Sequence, residues 1–167
     1  MAEYLKKILT LDGAVEARKN LAASGKKMVF TNGCFDLLHP GHLRYLDQAR
    51  RLGDYLFIGL NSDGSIRRLK GPGRPVRGEG ERAEMLAGLT MVDGLTIFNE
   101  DTPLSLIVTL RPDFLVKGGD WATQDIVGGK EVLAYGGEVR SLTLEKGFSS
   151  TALIERIALA HAQEPGR

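Results

Sequence analysis

Apolar runs typical of buried strands alternate with amphipathic helical patterns along most of this chain. Continuous β-branched and aromatic segments predict strands at about 27–32, 55–60, 92–98, 113–117 and 137–142. Apolar residues at helical spacing predict helices at 11–24, 40–52, 80–89, 103–110, about 125–135 and 150–161. Because strand, helix and strand follow one another, the pattern predicts βαβ units and an α/β fold built on a doubly wound parallel sheet.

Length and composition narrow the class of protein. A chain of 167 residues suits one domain, and we predict a leading helical segment at 1–25, a single Rossmann-like domain at 26–161 and a frayed tail at 162–167. The chain has 22 Lys and Arg against 21 Asp and Glu, so its net charge is close to zero. No overall electrostatic field therefore attracts nucleic acid or a membrane, and any anion site must be local. One cysteine, no signal peptide and no membrane-spanning run favour a reduced, cytoplasmic protein.

The segment 29–42 joins the first predicted strand to a helix through a glycine turn. Pro40 suits the first helical position, which places His39 at the cap and His42 in the first turn. Unpaired amides and the positive end of the helix dipole attract phosphate at such a terminus. An imidazole there can hydrogen-bond a phosphate oxygen or, when protonated, offset growing negative charge. The pattern therefore predicts an anion site.

Two other roles for these histidines are weaker. A lone histidine at a helix start is usually a cap or a surface residue, but two of the chain's three histidines fall here. A zinc site needs further thiolate or imidazole ligands, and only Cys34, in the turn, and His161, in the tail, are left. We therefore predict no metal site formed by the protein, and a packing role for the Cys34 side chain beside the anion site.

Gly33-Cys34-Phe35-Asp36 and His39-Pro40-Gly41-His42 resemble the signature of the His-x-Gly-His nucleotidyltransferase superfamily. The closer resemblance, over residues 26–157, is to bacterial D-glycero-β-D-manno-heptose 1-phosphate adenylyltransferases, also called ADP-heptose synthases. It implies AMP transfer from ATP to the sugar 1-phosphate, with pyrophosphate release, for lipopolysaccharide inner-core synthesis. We expect a direct in-line displacement with Mg²⁺ bridging the phosphates, because no motif for a covalent intermediate is present.

The informative polar residues follow predicted strands, where open parallel sheets bind ligands. The histidines follow the first strand, Asn61-Ser62-Asp63 the second, and Lys117-Gly118-Gly119-Asp120-Trp121 the strand at 113–117. The two glycines could also serve only the turn. With the resemblance, the nucleotide-binding residues are predicted to be Thr31, Asn32, Gly33, Cys34, Phe35, Asn61, Asp63, Lys117, Gly119, Asp120, Ser149, Ser150 and Thr151.

A strongly basic segment lies between Gly64 and Gly78, where glycines and prolines predict a loop. It offers a local field for a polyanion, although an ordinary solvated basic loop has the same composition. The resemblance assigns Lys70 to the nucleotide phosphates. From their place at a helix start, His39 and His42 are predicted to hold the α-phosphate or the bridging oxygen of the leaving group, and with Lys70 they are the predicted catalytic residues. The resemblance places Arg67, Arg74, Arg82 and Trp121 at the acceptor phosphate or a flap over the site; Arg68 and Arg77 complete the basic segment.

The hydroxyl cluster Ser149-Ser150-Thr151 opens the last predicted helix. These residues could act only as helix caps. The resemblance implies that they bind the β- and γ-phosphates of the nucleotide. They would then form a second phosphate-binding helix start, which faces the helix start that carries His39 and His42. Several cytidylyltransferases carry an arginine before this motif, whereas this chain has Leu144-Glu145-Lys146, which disfavours cytidylyl transfer and leaves Lys146 as a substitute cation.

The predicted partners are therefore ATP and a sugar 1-phosphate. Nucleic acid is disfavoured because aromatic residues do not interleave the basic segment. A cytidylyltransferase acting on a polyol phosphate such as glycerol 3-phosphate, a noncatalytic nucleotide-binding module, and one half of a bifunctional kinase and transferase are the alternatives. A homodimer is the common assembly for such proteins, although one chain shows no interface.

Overall fold

A computed structural model describes residues 2–119, 121–143 and 147–162, without the side chains of residues 161 and 162. Asp120, the stretch 144–146 with Lys146, and the tail 163–167 lie outside the described residues. Helices and strands alternate as predicted, and the α/β fold class is confirmed. Their bounds are α1 (Leu11–Ala23), β1 (Met28–Gly33), α2 (Pro40–Arg50), β2 (Tyr55–Asn61), α3 (Asp63–Lys70), α4 (Glu79–Ala87), β3 (Gly94–Phe98), α5 (Leu104–Leu110), β4 (Phe114–Gly118), α6 (Gly129–Ala134), β5 (Glu138–Leu142) and α7 (Ser150–Ala162).

The strands of the described ranges form one parallel sheet in the order β3-β2-β1-β4-β5. The chain winds outward from β1 to β3 and then returns to the other side of β1 with β4. The strand order therefore reverses between β1 and β4, which is the position where doubly wound sheets bind ligands at their carboxyl ends. Register places Asn32 of β1 beside Gly59 of β2, and Lys117 of β4 beside Ser141 of β5.

Both faces of the sheet are covered by helices, which explains the continuous apolar runs of its central strands. Along β1, Val29 packs in the cluster on one face and Phe30 in the cluster on the other. Helices α2 and α4 cover the first face with residues such as Leu46 and Leu86. Helices α1, α5 and α6 cover the second face. The sheet is thus a rigid platform whose strand ends present loops to solvent.

The leading segment packs against the second face and the sheet edge. Ala14 and Leu21 of α1 are buried in the same cluster as Phe30. Ile8 forms a parallel bridge with Leu95 of the edge strand β3. Leu11, the first residue of α1, is exposed, because the helix turns Ala14 toward the sheet. The domain boundary at residue 25 stays a prediction.

The prediction of a loop over 64–78 is wrong for its first half. Residues 63–70 form α3, and only 71–78 is a loop. Ser62 caps α3 by accepting a hydrogen bond from the Ser65 amide, and Ile66 is fully buried, so capping and packing outweigh the helix-breaking tendency of Gly64. Several of the predicted loop cations are therefore fixed on a helix.

The helix predicted at about 125–135 is shorter than expected. A 3₁₀ turn occupies Thr123–Asp125, and α6 begins only at Gly129, after Gly128 with φ of 84°. A left-handed residue interrupts a helix, so the pattern that covered 125–135 contains two separate elements. Across the described ranges, no helix combines the length and apolar character that crossing a membrane requires.

Candidate active site

A cleft of about 610 Å³ opens at the carboxyl ends of β1, β2 and β4, at the reversal of strand order. Strand ends supply its floor, α2 and α3 supply one side, and the segments after β3 and β4 supply the other. The residues that line it are Asn32, Gly33, Cys34, Phe35, Asp36, His42, Tyr45, Asn61, Leu69, Lys70, Asp101, Thr102, Pro103, Lys117, Gly118, Trp121, Asp125, Ile126 and Val127.

The two histidines form a stacked pair at the start of α2. His39 caps the helix, and its Nδ1 accepts a hydrogen bond from the His42 amide at 3.3 Å. The two rings lie 3.7 Å apart with an angle of 17° between their planes, and Phe35 packs on the other side of His42 at 5.3 Å. His42 Nδ1 is buried without a hydrogen-bond partner in the described part of the chain. His42 lines the cleft, so its ring is within reach of a ligand there.

Both imidazoles are neutral near pH 7. Burial, followed by the charges of His39 and Lys70, lowers the pKa of His42 to about 4. Burial also lowers the pKa of His39. Each ring can then donate one neutral N–H to an anion, and the role that the sequence allowed for a protonated imidazole is disfavoured in the free protein.

Two lysines supply the positive charge of the cleft. Lys70 is the last residue of α3, and Lys117 lies near the end of β4. Burial lowers the pKa of Lys117, the charge of Lys70 lowers it further, and Cys34 opposes both effects. Within the described ranges neither lysine forms an ion pair with a carboxylate. Two close cations without a counterion are suited to a phosphate chain.

Asp36 anchors the remaining loop of the basic segment. Its buried carboxylate accepts hydrogen bonds from Arg74 Nε at 2.7 Å, the Val76 amide at 2.8 Å and the Arg77 amide at 3.0 Å. Burial tends to raise the pKa of Asp36, but the amides of Arg77 and Val76 together with Arg74 outweigh it, and the pKa is lowered. The ionised carboxylate thus ties residues 74–77 to the end of β1.

Arg82 lies inside the protein and does not line the cleft. Its residue exposure is 1%, and its guanidinium donates to carbonyl oxygens of Cys34 at 2.6 Å, Asn61 at 2.9 Å and Arg77 at 3.0 Å. A fourth bond goes to Asp63 Oδ1 at 2.8 Å. The side chain ties the ends of β1 and β2, the start of α3 and the loop before α4, so its contacts are with the protein rather than with a ligand.

The predicted site residues divide into three groups. Asn32, Gly33, Cys34, Phe35, His42, Asn61, Lys70, Lys117 and Trp121 line the cleft, with Trp121 half exposed at its rim. Thr31, Asp63, Arg74 and Arg82 are held in protein contacts: the Thr31 hydroxyl, for example, bonds the Tyr45 hydroxyl at 2.6 Å. The remaining described residues are not among the lining residues, namely His39, Arg67, Gly119, Ser149, Ser150 and Thr151, and Asp120 lies outside the described residues.

The start of α7 lies beside the start of α2. Ser150 Oγ donates a hydrogen bond to the Leu37 carbonyl oxygen at 3.0 Å, and the Phe148 ring stacks against His39 at 6.0 Å. Ser149 Oγ accepts from the Ala152 amide at 3.4 Å as a weak cap, and Thr151 is exposed. The structure therefore brings the two predicted phosphate-binding helix starts together.

Three kinds of lining residue were missed by the sequence analysis. Apolar lining residues are Leu69 of α3 and Ile126 and Val127 after β4, and Thr102 and Pro103 follow β3. The rule that ligands lie beyond strand ends applies to β3 as well, and it could have indicated the segment at 99–103. Tyr45 sits one helical turn after His42 and bonds Thr31, a contact that the apolar pattern does not reveal.

The switch-point cleft, the stacked histidines at a helix start and the paired lysines together define the nucleotidyltransferase class of α/β proteins. The sequence matches the family model described as cytidylyltransferase-like over residues 30–156, so the chain belongs to the cytidylyltransferase-like family. This finding confirms the superfamily expected from the sequence.

Similar proteins agree with this assignment. The chain is 55% identical over 155 residues to the bifunctional protein HldE of Syntrophotalea carbinolica, covering 93% of this chain and 32% of that protein. It is 52% identical over 150 residues to the bifunctional protein HldE of Vibrio cholerae, covering 90% and 32%. The chain thus spans about a third of the length of these curated relatives. A lipopolysaccharide core biosynthesis protein from Thermoplasma volcanium has the same fold, with a TM-score of 0.61, 24% identity, and coverage of 74% of this chain and 100% of that one.

Proposed function

We propose that this protein is an adenylyltransferase that transfers AMP from ATP to D-glycero-β-D-manno-heptose 1-phosphate, forming ADP-heptose for lipopolysaccharide inner-core synthesis and releasing pyrophosphate. The observation that carries the proposal is the presence of His42, Lys70 and Lys117 in one cleft, beside the start of α7. The 55% sequence identity to the bifunctional protein HldE of Syntrophotalea carbinolica supports the proposal. A cytoplasmic location and a homodimer stay predictions.

The cleft contains cationic and apolar lining residues that suit the two parts of a nucleotide. Lys70 and Lys117 line it together with His42, and Leu69, Ile126 and Val127 add apolar surface. We assign the phosphates to the lysines and His42 and the adenine base to the apolar residues, because a base buries its faces against apolar groups and phosphates require cations and N–H donors. The hydroxyls of Ser149-Ser150-Thr151 are proposed to bind the outer phosphates.

The reaction is proposed to proceed by in-line attack of the sugar phosphate on the α-phosphorus of ATP. The attacking phosphate is already an anion, so the protein needs no strong base. His42 Nε2, presented by the helix start, donates a hydrogen bond to the α-phosphate, and Lys70 offsets the charge that grows on it. His39 holds His42 in place, because its ring stacks on the His42 ring and its Nδ1 accepts a hydrogen bond from the His42 backbone amide.

Nucleotidyltransferases generally use divalent metal ions. The described residues contain no group of three or more His, Cys, Asp or Glu that could bind a metal. A protein-formed metal cage therefore does not fit this part of the chain. We propose that Mg²⁺ enters as the complex with ATP, as part of the substrate, since Mg²⁺ is commonly bound through substrate phosphates with few protein ligands.

Pyrophosphate release tests the proposal. The protein is assayed with ATP or CTP against the two anomers of D-glycero-D-manno-heptose 1-phosphate, glucose 1-phosphate and glycerol 3-phosphate. We expect turnover only with ATP and the β-heptose phosphate. Turnover with CTP and glycerol 3-phosphate would establish the polyol cytidylyltransferase instead. ATP binding without turnover on any acceptor would indicate a binding module.

A further inference from the structure

The side chain of Phe148 connects the segment before α7 to the histidine pair. Its ring lies 6.0 Å from the ring of His39 with an interplanar angle of 20°, and the Arg44 guanidinium lies over the Phe148 ring at 5.4 Å from its centroid. His39 in turn stacks on His42 at 3.7 Å. A chain of neighbouring contacts thus joins Phe148 to the histidine pair through His39.

Gly41 at the start of α2 lies close to both Phe148 and His39. A Cβ atom placed on Gly41 would lie 3.0 Å from the Phe148 Cβ and 3.1 Å from His39 Nδ1. Such distances are tighter than most Cβ contacts, so a side chain at position 41 would require Phe148 or His39 to shift. The glycine therefore leaves room for the close approach of Phe148 to His39.

Among the described residues, a small number of contacts join this segment to the helix start that carries the histidines. Ser150 bonds the Leu37 carbonyl, and Leu153 and Ile154 are half buried, but α7 is exposed from residue 155 to residue 160. Phe148 is 38% exposed, and its ring lies nearly parallel to the ring of His39. Removing the Phe148 ring should therefore increase the contact of the His39 ring with water.

We propose that Phe148 is a positioning residue: by stacking on His39 it holds the histidine pair in the orientation that the α-phosphate requires, and it couples the start of α7 to that pair. The consequence for turnover rests on the proposed nucleotidyl transfer, whereas the stacking can be tested without any reaction. Aromatic pairs of this type are directional, so a ring fixes the His39 plane in a way that an aliphatic side chain does not.

Three substitutions distinguish the effect of the Phe148 aromatic ring from the effect of side-chain volume. Phe148→Ala removes the side chain, Phe148→Leu keeps an apolar side chain without a ring, and Phe148→Tyr keeps the ring. Ile157→Ala is the control, because Ile157 is an exposed apolar residue of the same helix. We expect Phe148→Ala and Phe148→Leu to lower kcat about 10-fold with a smaller change in KM for the sugar phosphate, and Phe148→Tyr and Ile157→Ala to stay near the wild type.

An NMR titration of the histidine rings provides the readout that does not depend on turnover. Burial lowers the pKa of His39, so Phe148→Ala should move it up toward the ordinary value of 6.5, and Phe148→Tyr should not. Lys70, whose charge acts on His42, and Arg44, which lies over the Phe148 ring, are unchanged in all variants. An unchanged His39 titration in Phe148→Ala, or an equal loss of kcat in Phe148→Tyr or Ile157→Ala, would overturn the proposal. If the wild-type protein shows no turnover, the proposed function fails and the titration alone still decides the stacking.

Discussion

The two helix starts that meet at the cleft are held in different ways. The start of α2 follows the central strand β1, and the helix buries Tyr45, Leu46 and Ala49 against the sheet. The start of α7 is joined to it through Phe148 and Ser150, and α7 is then exposed from residue 155 to residue 160. Because local stability follows burial and contact, the fold fixes the backbone that carries the histidine pair, whereas Phe148 and Ser150, among the described contacts, join the hydroxyl cluster to it. We call the start of α2 with the histidine pair the rigid half of the candidate site. We call the start of α7 with the hydroxyl cluster the conditional half, because its position depends on the contacts of Phe148 and Ser150.

The rigid half depends most on Arg82, and its removal should have the largest effect. Arg82→Ala leaves the Asp63 carboxylate and three carbonyl oxygens without their donor. Removing one partner of a buried ion pair costs about 3–5 kcal/mol, so we expect that loss in the free energy of unfolding measured with urea. Arg140→Ala is the control, because Arg140 forms an exposed ion pair with Glu138 and its removal should cost less than about 1 kcal/mol. Equal losses in the two variants would contradict the role of Arg82.

The sequence predicted the rigid half well because its signals are local. The strand, the glycine turn and Pro40 lie within one short stretch, and the order of the elements implies the sheet. The positions of His39 and His42 at a helix start follow from Pro40 alone. The family signature lies in the same stretch, which is why it could be identified from the sequence.

The contacts that organise the rest of the site are distant in sequence. Arg82 bonds Cys34, which is 48 positions away, and Asp36 bonds the loop 74–77 about 40 positions away. No periodic pattern indicates such pairs, so the buried position of Arg82 and the anchoring by Asp36 were not predicted. The helix at 63–70 was missed for a related reason. Burial of Ile66 and capping by Ser62 stabilise this helix and outweigh the helix-breaking tendency of Gly64.

His42→Ala tests whether the rigid half carries the chemistry. Loss of one donor to the transition state should lower kcat on the order of 10²–10³-fold, with little change in the free energy of unfolding at pH 7. Gln48→Ala is the control, since Gln48 is an exposed residue of the same helix. Near-normal turnover of His42→Ala would remove His42 from the mechanism while leaving the fold assignment intact.

The low pKa of His42 makes the rigid half sensitive to acid. The pKa is about 4 in the folded protein against an ordinary value of 6.5, so between these values the unfolded chain binds a proton that the folded one does not. Stability from this group is therefore complete above pH 6.5 and falls with decreasing pH, by at most about 1.4 kcal/mol per pH unit. Urea denaturation at pH 7 and pH 5 should show a larger loss for the wild type than for His42→Gln. The same loss in both proteins would mean that other groups cause it.

The smallest expected effect belongs to the conditional half. Ser150→Ala removes the hydrogen bond to the Leu37 carbonyl, worth about 1 kcal/mol, without touching the histidines. Because that bond joins the two helix starts, amide exchange over the first turn of α7 should accelerate about five-fold, and KM for ATP should rise while exchange in α2 stays constant. Ser149→Ala is the matched control for the exchange measurement alone, since the Ser149 hydroxyl forms a 3.4 Å cap bond within its own helix. It is not a control for KM, because the Ser149 hydroxyl is itself proposed to bind the phosphates. If the two serine variants had the same effect on α7, the helix start would be held by Phe148 alone, and the hydroxyl of Ser150 would be released for a phosphate at no cost to the fold.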